Sequence, residues 1–486
     1  MVFTSPFPSL DIPKTNLLTY LFPEDQLPQE DPLWLDCKDD RINLSPKELV
    51  EWVKRLSFGL ERIGVKRGDV VLVCTPNQIF VPVAYLGIVG AGCIFSGANP
   101  AYTVSELVHQ LNNTTAKVIL AHPDHLDHVL AAAEKANLPK NRIFQFSDTE
   151  AATRHGIPDW RALLGTPSEV KTYRWPDLTP SESETTVATI NYSSGTTGLP
   201  KGVCVSHHNL IANVEQTIVM RYAHKPYPFA SRPAERWIGF LPLYHAYGQL
   251  YTILMAIRLR APVYVMREFR YEDFLAAIGR YRITSLQNEC QRRFGVQINQ
   301  GWGMTEGREV GVGQPGEMVV RGPNVCLGYW RNEAATKECI DSEGWLKTGD
   351  IAVCDKKGFF WIVDRKKELI KVNALQVAPA ELEAVLLENE HIADAAAVGI
   401  TVNGEEKPRA YVAIQEDSKG RVTPGDVAEW IKTRVAKHKR LTGGVVFVEE
   451  VPKLASGKIQ RKTMREWAKR DATAIEAASQ QERARL

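Results

Sequence analysis

No Cys-x-x-Cys pair occurs in the chain. Its eight cysteines, Cys37, Cys74, Cys93, Cys204, Cys290, Cys326, Cys339 and Cys354, stand far apart with no histidine cluster beside them. This excludes a disulfide framework and a zinc site of ordinary spacing, and reads as reduced thiols in an intracellular protein. An excess of charge is missing too: 59 basic and 57 acidic residues leave a formal +2, without the concentrated basic surface of a dedicated nucleic-acid binder. No repeat period or low-complexity tract appears. The first thirteen residues lack a basic start followed by an apolar run, so no secretory signal is expected, and the sequons at Asn112 and Asn113 carry no weight. One uncharged stretch, residues 79–98, is nominally long enough to span a bilayer. It holds Pro82, Gly87, Gly90, Gly92 and Gly97 and lies among alternating strand and helix patterns, so a buried helix followed by a strand is expected there, and no transmembrane segment.

What is present is 486 residues, too many for one compact core, so at least two domains are expected. Ser45-Pro-Lys-Glu48 is a capping box with proline at the first helical position, and Leu49, Val53, Leu56 and Leu60 continue at helical spacing. Short β-branched runs at 70–74, 117–120, 187–191, 237–241 and 262–266 alternate with helical segments such as 206–220 and 271–279. That alternation predicts an α/β fold, a large N-terminal domain with mainly parallel sheets. Past Trp361 the pattern changes to a helix at 378–388, strands at 395–400 and 409–415, a helix at 424–435 and a strand at 444–449. These predict a small α+β C-terminal domain of about 120 residues. The charged run Asp364-Arg-Lys-Lys367 reads as a turn suited to a hinge, dividing the chain into domains 1–364 and 365–486.

The most informative segment is Tyr192-Ser-Ser-Gly-Thr-Thr-Gly-Leu-Pro-Lys-Gly202, which follows a strand and precedes a helix. Ser193, Ser194, Gly195, Thr196, Thr197, Gly198 and Lys201 suit a polyphosphate: glycine lets backbone N–H groups approach, hydroxyls donate, and the lysine neutralises charge. It is not a P-loop, because Pro200 and Gly202 stand where that motif needs glycine and Ser or Thr. A plain surface turn is the duller explanation, and eleven matching residues in order count against it.

This loop resembles the phosphate loop of the adenylate-forming superfamily. So do Leu241-Pro-Leu-Tyr-His-Ala-Tyr-Gly248, Gly301-Trp-Gly-Met-Thr-Glu306, Thr348-Gly-Asp350, Asp364-Arg-Lys-Lys-Glu-Leu-Ile-Lys371 and Pro452-Lys-Leu-Ala-Ser-Gly-Lys458, in the family's order and over most of the chain. The texture is similar to 4-coumarate-CoA-ligase-like acyl- and aryl-CoA synthetases. The resemblance implies two half-reactions: a carboxylate is joined to AMP with loss of pyrophosphate, then a thiol displaces AMP. ATP, Mg²⁺ and coenzyme A as co-substrate are implied with it. Lys458 would bridge carboxylate and AMP. Thr305 would bind the α-phosphate and Glu306 would hold Mg²⁺. Asp350 and Arg365 would take the ribose hydroxyls, and Gln300, Gly301 and Trp302 the adenine. The resemblance also implies a mobile C-terminal domain that swings between the half-reactions, one face with Lys458 serving adenylation and the other serving thioester formation; Lys367 falls at its hinge, with Lys371 and Gln376 carried over as contacts to the nucleotide or to the thioester-forming site. His245 would lie near the carboxylate and Tyr247 would line the acyl pocket.

Singly, each has a blander reading: His245 as a satisfied interior histidine, Lys458 as a solvated loop lysine, Asp350 as a turn cap, Asp364 with Arg365 as a surface ion pair. Their joint order outweighs these.

Three departures stand out. The family has several tens more residues between Ser285 and Gly301, and again between Glu306 and Gly316, and it has glycine where Ala374 stands, after Lys371. The expected function is an ATP-dependent carboxylate-CoA ligase for an aryl or medium-chain acid. The alternatives are transfer to a carrier-protein thiol, or a catalytically impaired nucleotide-binding homologue. The last three residues, Ala484-Arg485-Leu486, are like the Ser-Lys-Leu peroxisomal address, so peroxisome and its import receptor are expected, with cytoplasm as the alternative.

Overall fold

The computed structural model describes residues 3–4, 7, 9–26, 28–192, 200–223, 225–284, 306–308, 315–356, 360–365, 368–372, 375–435, 437–453 and 459–483. Its centre is a seven-stranded sheet in the order Gly328–Tyr329, Gly202–Ser206, Val187–Tyr192, Ile94–Ala98, Val70–Cys74, Val118–Ala121, Ile143–Gln145. The last five run parallel, and the first two are antiparallel additions. Every residue of the 70–74 and 94–98 strands is buried, as expected of strands covered on both faces. A second sheet, Trp237–Gly239, Val263–Val265, Trp34–Asp36, Asn43–Leu44, is parallel across its first three strands. The α/β class with mainly parallel sheets holds for these two.

Residues 79–98 form the helix Val81–Gly90, buried along its whole length, and then the strand Ile94–Ala98. Among the described residues no helix is long and apolar enough to cross a membrane. The Pro46–Arg62 helix has its capping box, with Ser45 accepting from the Glu48 N–H and Glu48 accepting from the Ser45 N–H, and it buries Leu49, Val53, Leu56 and Leu60. The seven described cysteines are free thiols.

Two features depart from the sequence reading. The phosphate-loop segment does not lead straight into a helix: the strand Gly202–Ser206 comes first, pairing antiparallel with Val187–Tyr192 at Tyr192↔Gly202, and the helix His207–Tyr222 follows. Nor are Asp364 and Arg365 in a turn. They end the strand Phe360–Arg365, the outer strand of an antiparallel five-stranded sheet. Charged residues are ordinary on such an edge, where they discourage pairing with another chain.

The C-terminal part has its own core. Ile392–Val402, Glu405–Ile414 and Val445–Val448 form a sheet, with Val427, Leu382 and Leu386 packed on one side and Met464 and Ala468 on the other.

One buried histidine makes stability depend on pH. His207 is 3% exposed, and its Nδ1 accepts a hydrogen bond from the Leu17 N–H at 3.0 Å, which needs the neutral ring. Burial pushes its pKa down from 6.5 to about 4. Below pH 6.5 the unfolded chain takes up a proton that the folded one refuses. Stability present above pH 6.5 is therefore lost as pH falls toward 4, by about 1.4 kcal/mol per pH unit. His122, also lowered to about 4 by burial and by the Arg267 guanidinium, adds to the slope. Thermal unfolding followed from pH 7.5 to 5 should show a falling midpoint. His207→Asn, which keeps an acceptor but no titrating ring, should flatten part of the fall; an unchanged slope would contradict the assignment.

Candidate active site

The 241–248 block and the strand that leads into the phosphate loop meet at the carboxyl ends of the parallel strands, where open α/β sheets place their ligands. The 241–248 block is held there by Asn77, which follows the Val70–Cys74 strand: its Nδ2 donates to the Leu241 carbonyl at 2.9 Å, and its Oδ1 accepts from the Leu243 N–H at 2.9 Å. The strand Ile94–Ala98 comes so close that a Cβ on Gly97 would lie 2.8 Å from the Tyr244 Cα, so only glycine fits. Gly248 is confined likewise, against the Pro242 carbonyl.

His245 is exposed, so it is not an interior histidine. It caps the short helix Ala246–Gly248, its Nδ1 accepting from the Tyr247 N–H at 3.4 Å. That helix runs on through a π-helical stretch, Gln249–Met255, a feature that commonly marks functional sites. Tyr247 stacks toward Tyr251 with ring centroids 4.7 Å apart, and Trp237 stands 6.3 Å from Tyr251. Burial, with Tyr251 alongside, pushes the Tyr247 phenol far up, so it stays protonated. Gln249, 2% exposed, donates to the Asn191 side chain at 3.0 Å and so ties this aromatic wall to the strand that feeds the phosphate loop.

Lys201 emerges from that loop with its ammonium 5.0 Å from the centroid of Tyr329. Three of the residues assigned to nucleotide binding lie on the five-stranded antiparallel sheet. Glu306 pairs with Arg321, and Asp350 with Arg365 as direct cross-strand neighbours. Thr348-Gly349-Asp350 is shaped by Gly349 at φ +73° and by Thr348, whose Oγ1 accepts from the Asp350 N–H and donates to the Met318 carbonyl.

In the C-terminal part, Lys371 is exposed and opposite Gln376 in the Ile370–Val372/Leu375–Val377 hairpin, and its N–H donates to Glu406. The described residues that flank 454–458 are joined to one another. Lys453 bridges to Ile459, the Gln460 N–H donates to the Pro452 carbonyl at 2.8 Å, and Lys453 pairs with Asp394 at 2.6 Å. Just beyond, Arg461 binds Glu368 at 2.6 Å and Glu383 at 2.7 Å, all three side chains 13% exposed or less.

Ser193 to Gly198, Gln300, Gly301, Trp302, Thr305, Lys367 and Lys458 lie outside the described residues, as do 484–486 and the side chains of Glu306, Arg365 and Gln376. Among the described residues no three His, Cys, Asp or Glu side chains form a metal cage. Asn77, Gln249, Tyr329 and Arg461 were not singled out from the sequence. Their contacts are long-range, and no local motif marks them.

A large α/β part with a parallel sheet at its centre, followed by a small part with its own core, defines a two-domain α/β protein. The AMP-binding enzyme family matches residues 26–288, and the AMP-binding enzyme C-terminal domain matches 381–458. The chain belongs to this family, the adenylate-forming superfamily. It is 32% identical to a phenylacetyl-CoA ligase of Aspergillus niger (95% of this chain, 98% of the relative). It is 31% identical to a peroxisomal OPC-8:0-CoA ligase of Arabidopsis thaliana (87% and 88%). Among solved structures, ATP-bound MatB from Rhodopseudomonas palustris shares the fold with a TM-score of 0.79 at 22% identity, over 94% of this chain and 99% of that one. The phenylacetyl-CoA ligase alignment spans 546 positions while covering 95% of 486 residues, so about 80 positions have no residue here.

Proposed function

We infer that this chain is an ATP- and Mg²⁺-dependent carboxylate-CoA ligase, forming an acyl-adenylate and then an acyl-CoA thioester. The observation that carries the reading is the convergence, at the carboxyl ends of one parallel sheet, of the phosphate-loop strands, the 241–248 block and an aromatic wall. When bound, ATP supplies the activated phosphorus and Mg²⁺ neutralises its charge. This chain's residues cradle the phosphates (193–198 and Lys201), hold the ribose (Asp350 and Arg365), contact adenine (300–302), bind the α-phosphate (Thr305) and ligate the metal (Glu306). Lys458 stabilises adenylation, and Lys371 and Gln376 serve the nucleotide or the second step. The division into 1–364 and 365–486, with Lys367 as hinge, is supported by the strand that ends at Arg365 and the separate core that follows.

Tyr247, Tyr251 and Trp237 favour a flat acid, as does the likeness to a phenylacetyl-CoA ligase. We place the shortening at 286–316, supported by the first family match ending at residue 288. There Thr284 pairs with Arg236 beside the edge strand Trp237–Gly239. The terminal tripeptide and the peroxisomal relative support a peroxisomal location read by the import receptor.

Supplying CoA or a phosphopantetheinylated carrier protein as acceptor tests the thiol. Thioester should form on CoA, and formation on the carrier alone would overturn the assignment. Deleting Arg485 and Leu486 should leave the protein diffuse in the cytosol, and retained punctate targeting would reject the address.

A further inference from the structure

We propose that the helix Val104–Thr114 splints the phosphate loop, with His109 and Asn113 as positioning residues that fix its two ends. The proposal rests on the reading that residues 193–198 bind the phosphates of ATP, and it concerns what holds that segment in place.

The loop is rich in glycine and hydroxyl residues, so shaping it around a polyphosphate costs conformational entropy unless its ends are already fixed. Both ends are held by one helix. At the incoming end the Tyr192 hydroxyl donates to Asn113 Oδ1. At the outgoing end His109 Nε2 lies 2.9 Å from the Pro200 carbonyl. A carbonyl only accepts, so Nε2 carries the proton in this contact. The His109 ring also stands edge-on to Tyr192, with centroids 6.3 Å apart at 90°. His109 and Asn113 are four residues apart and therefore share a helix face, which is what lets one rigid element reach both ends.

The helix is itself anchored. Thr103 and Glu106 form a capping box at its start. Gln110, buried at 1% exposure, donates to Ser96 Oγ at 3.0 Å and to the Gly97 carbonyl at 3.1 Å. Ser96 Oγ donates in turn to the Ile190 carbonyl at 3.1 Å, in the strand that runs into the loop. The splint is thus tied to the strand it serves. On the far side the outgoing strand is steadied separately, the Trp330 N–H donating to the Gly202 carbonyl at 2.7 Å.

The test measures ATP KM and kcat in carboxylate-dependent pyrophosphate exchange, and ATP affinity by equilibrium dialysis, for the wild type, His109→Ala, His109→Asn and His109→Gln. A glutamine amide nitrogen reaches the place of Nε2, and an asparagine one falls short. The Ala and Asn variants should raise the ATP KM and weaken ATP affinity roughly tenfold, the scale of one lost hydrogen bond, with kcat nearly unchanged. The Gln variant should return to near wild type. An unchanged ATP KM in His109→Ala, or equal values for Asn and Gln, would overturn the splint. A wild type that binds ATP without exchange sinks the ligase reading instead, and the ordering of the four affinities still decides the splint. A wild type that binds no ATP overturns both.

Discussion

Lys458→Ala should lower carboxylate-dependent pyrophosphate exchange by about 10²-fold or more, as expected for losing a cation that meets charge developing in the transition state. The described residues on either side of 454–458 are tied together by the Lys453–Ile459 bridge, the Gln460–Pro452 hydrogen bond and the Lys453–Asp394 ion pair. Supplying preformed acyl-adenylate and CoA bypasses the first step, and there the variant should form thioester at close to the wild-type rate. Lys371→Ala should show the converse, slower thioester formation with adenylation largely kept. Near-normal exchange by Lys458→Ala would remove this lysine from the chemistry, and equal losses in both steps for Lys371→Ala would contradict a division of labour between the two faces.

The second large effect is structural. Arg461→Leu leaves Glu368 and Glu383 as buried carboxylates without their cation, a loss of about 3–5 kcal/mol. Glu383 also accepts from the Ala397 N–H and Arg461 donates to the Ala397 carbonyl, so the cluster joins Glu368 to the edge strand Ile392–Val402 and to the start of the last helix, Arg461–Arg483. Denaturant unfolding of the full chain should show an early transition confined to the C-terminal part. Adding Glu368→Gln and Glu383→Gln to Arg461→Leu should recover much of the loss, since the penalty comes from uncompensated charge. A single variant as stable as wild type would show that the cluster is idle.

Much of this was legible in the sequence because the large domain is built from strong local signals. Fully apolar strands such as 70–74, the Ser45–Glu48 capping box and the glycine-interrupted 79–98 stretch each specify their structure within a few residues. The site was legible as blocks, because phosphate and ribose chemistry demands unusual local composition. What escaped was either short or long-range. The strand Gly202–Ser206 was absorbed into the motif it completes, and the strand reaching Arg365 is masked by its own charges. The supporting shell of Asn77, His109, Gln249 and Arg461 depends on partners roughly 60 to 170 residues away, which no window of sequence reveals.

The central claim is that a chain about 80 aligned positions short of its phenylacetyl-CoA ligase relative still activates a carboxylate. The most direct test is carboxylate-dependent ATP–pyrophosphate exchange on the full-length folded protein, with cinnamic, benzoic, phenylacetic and medium-chain fatty acids each supplied in turn. The account predicts exchange that requires Mg²⁺ and is strongest with an aryl acid. Folded protein that binds ATP and exchanges with none of these acids would contradict it.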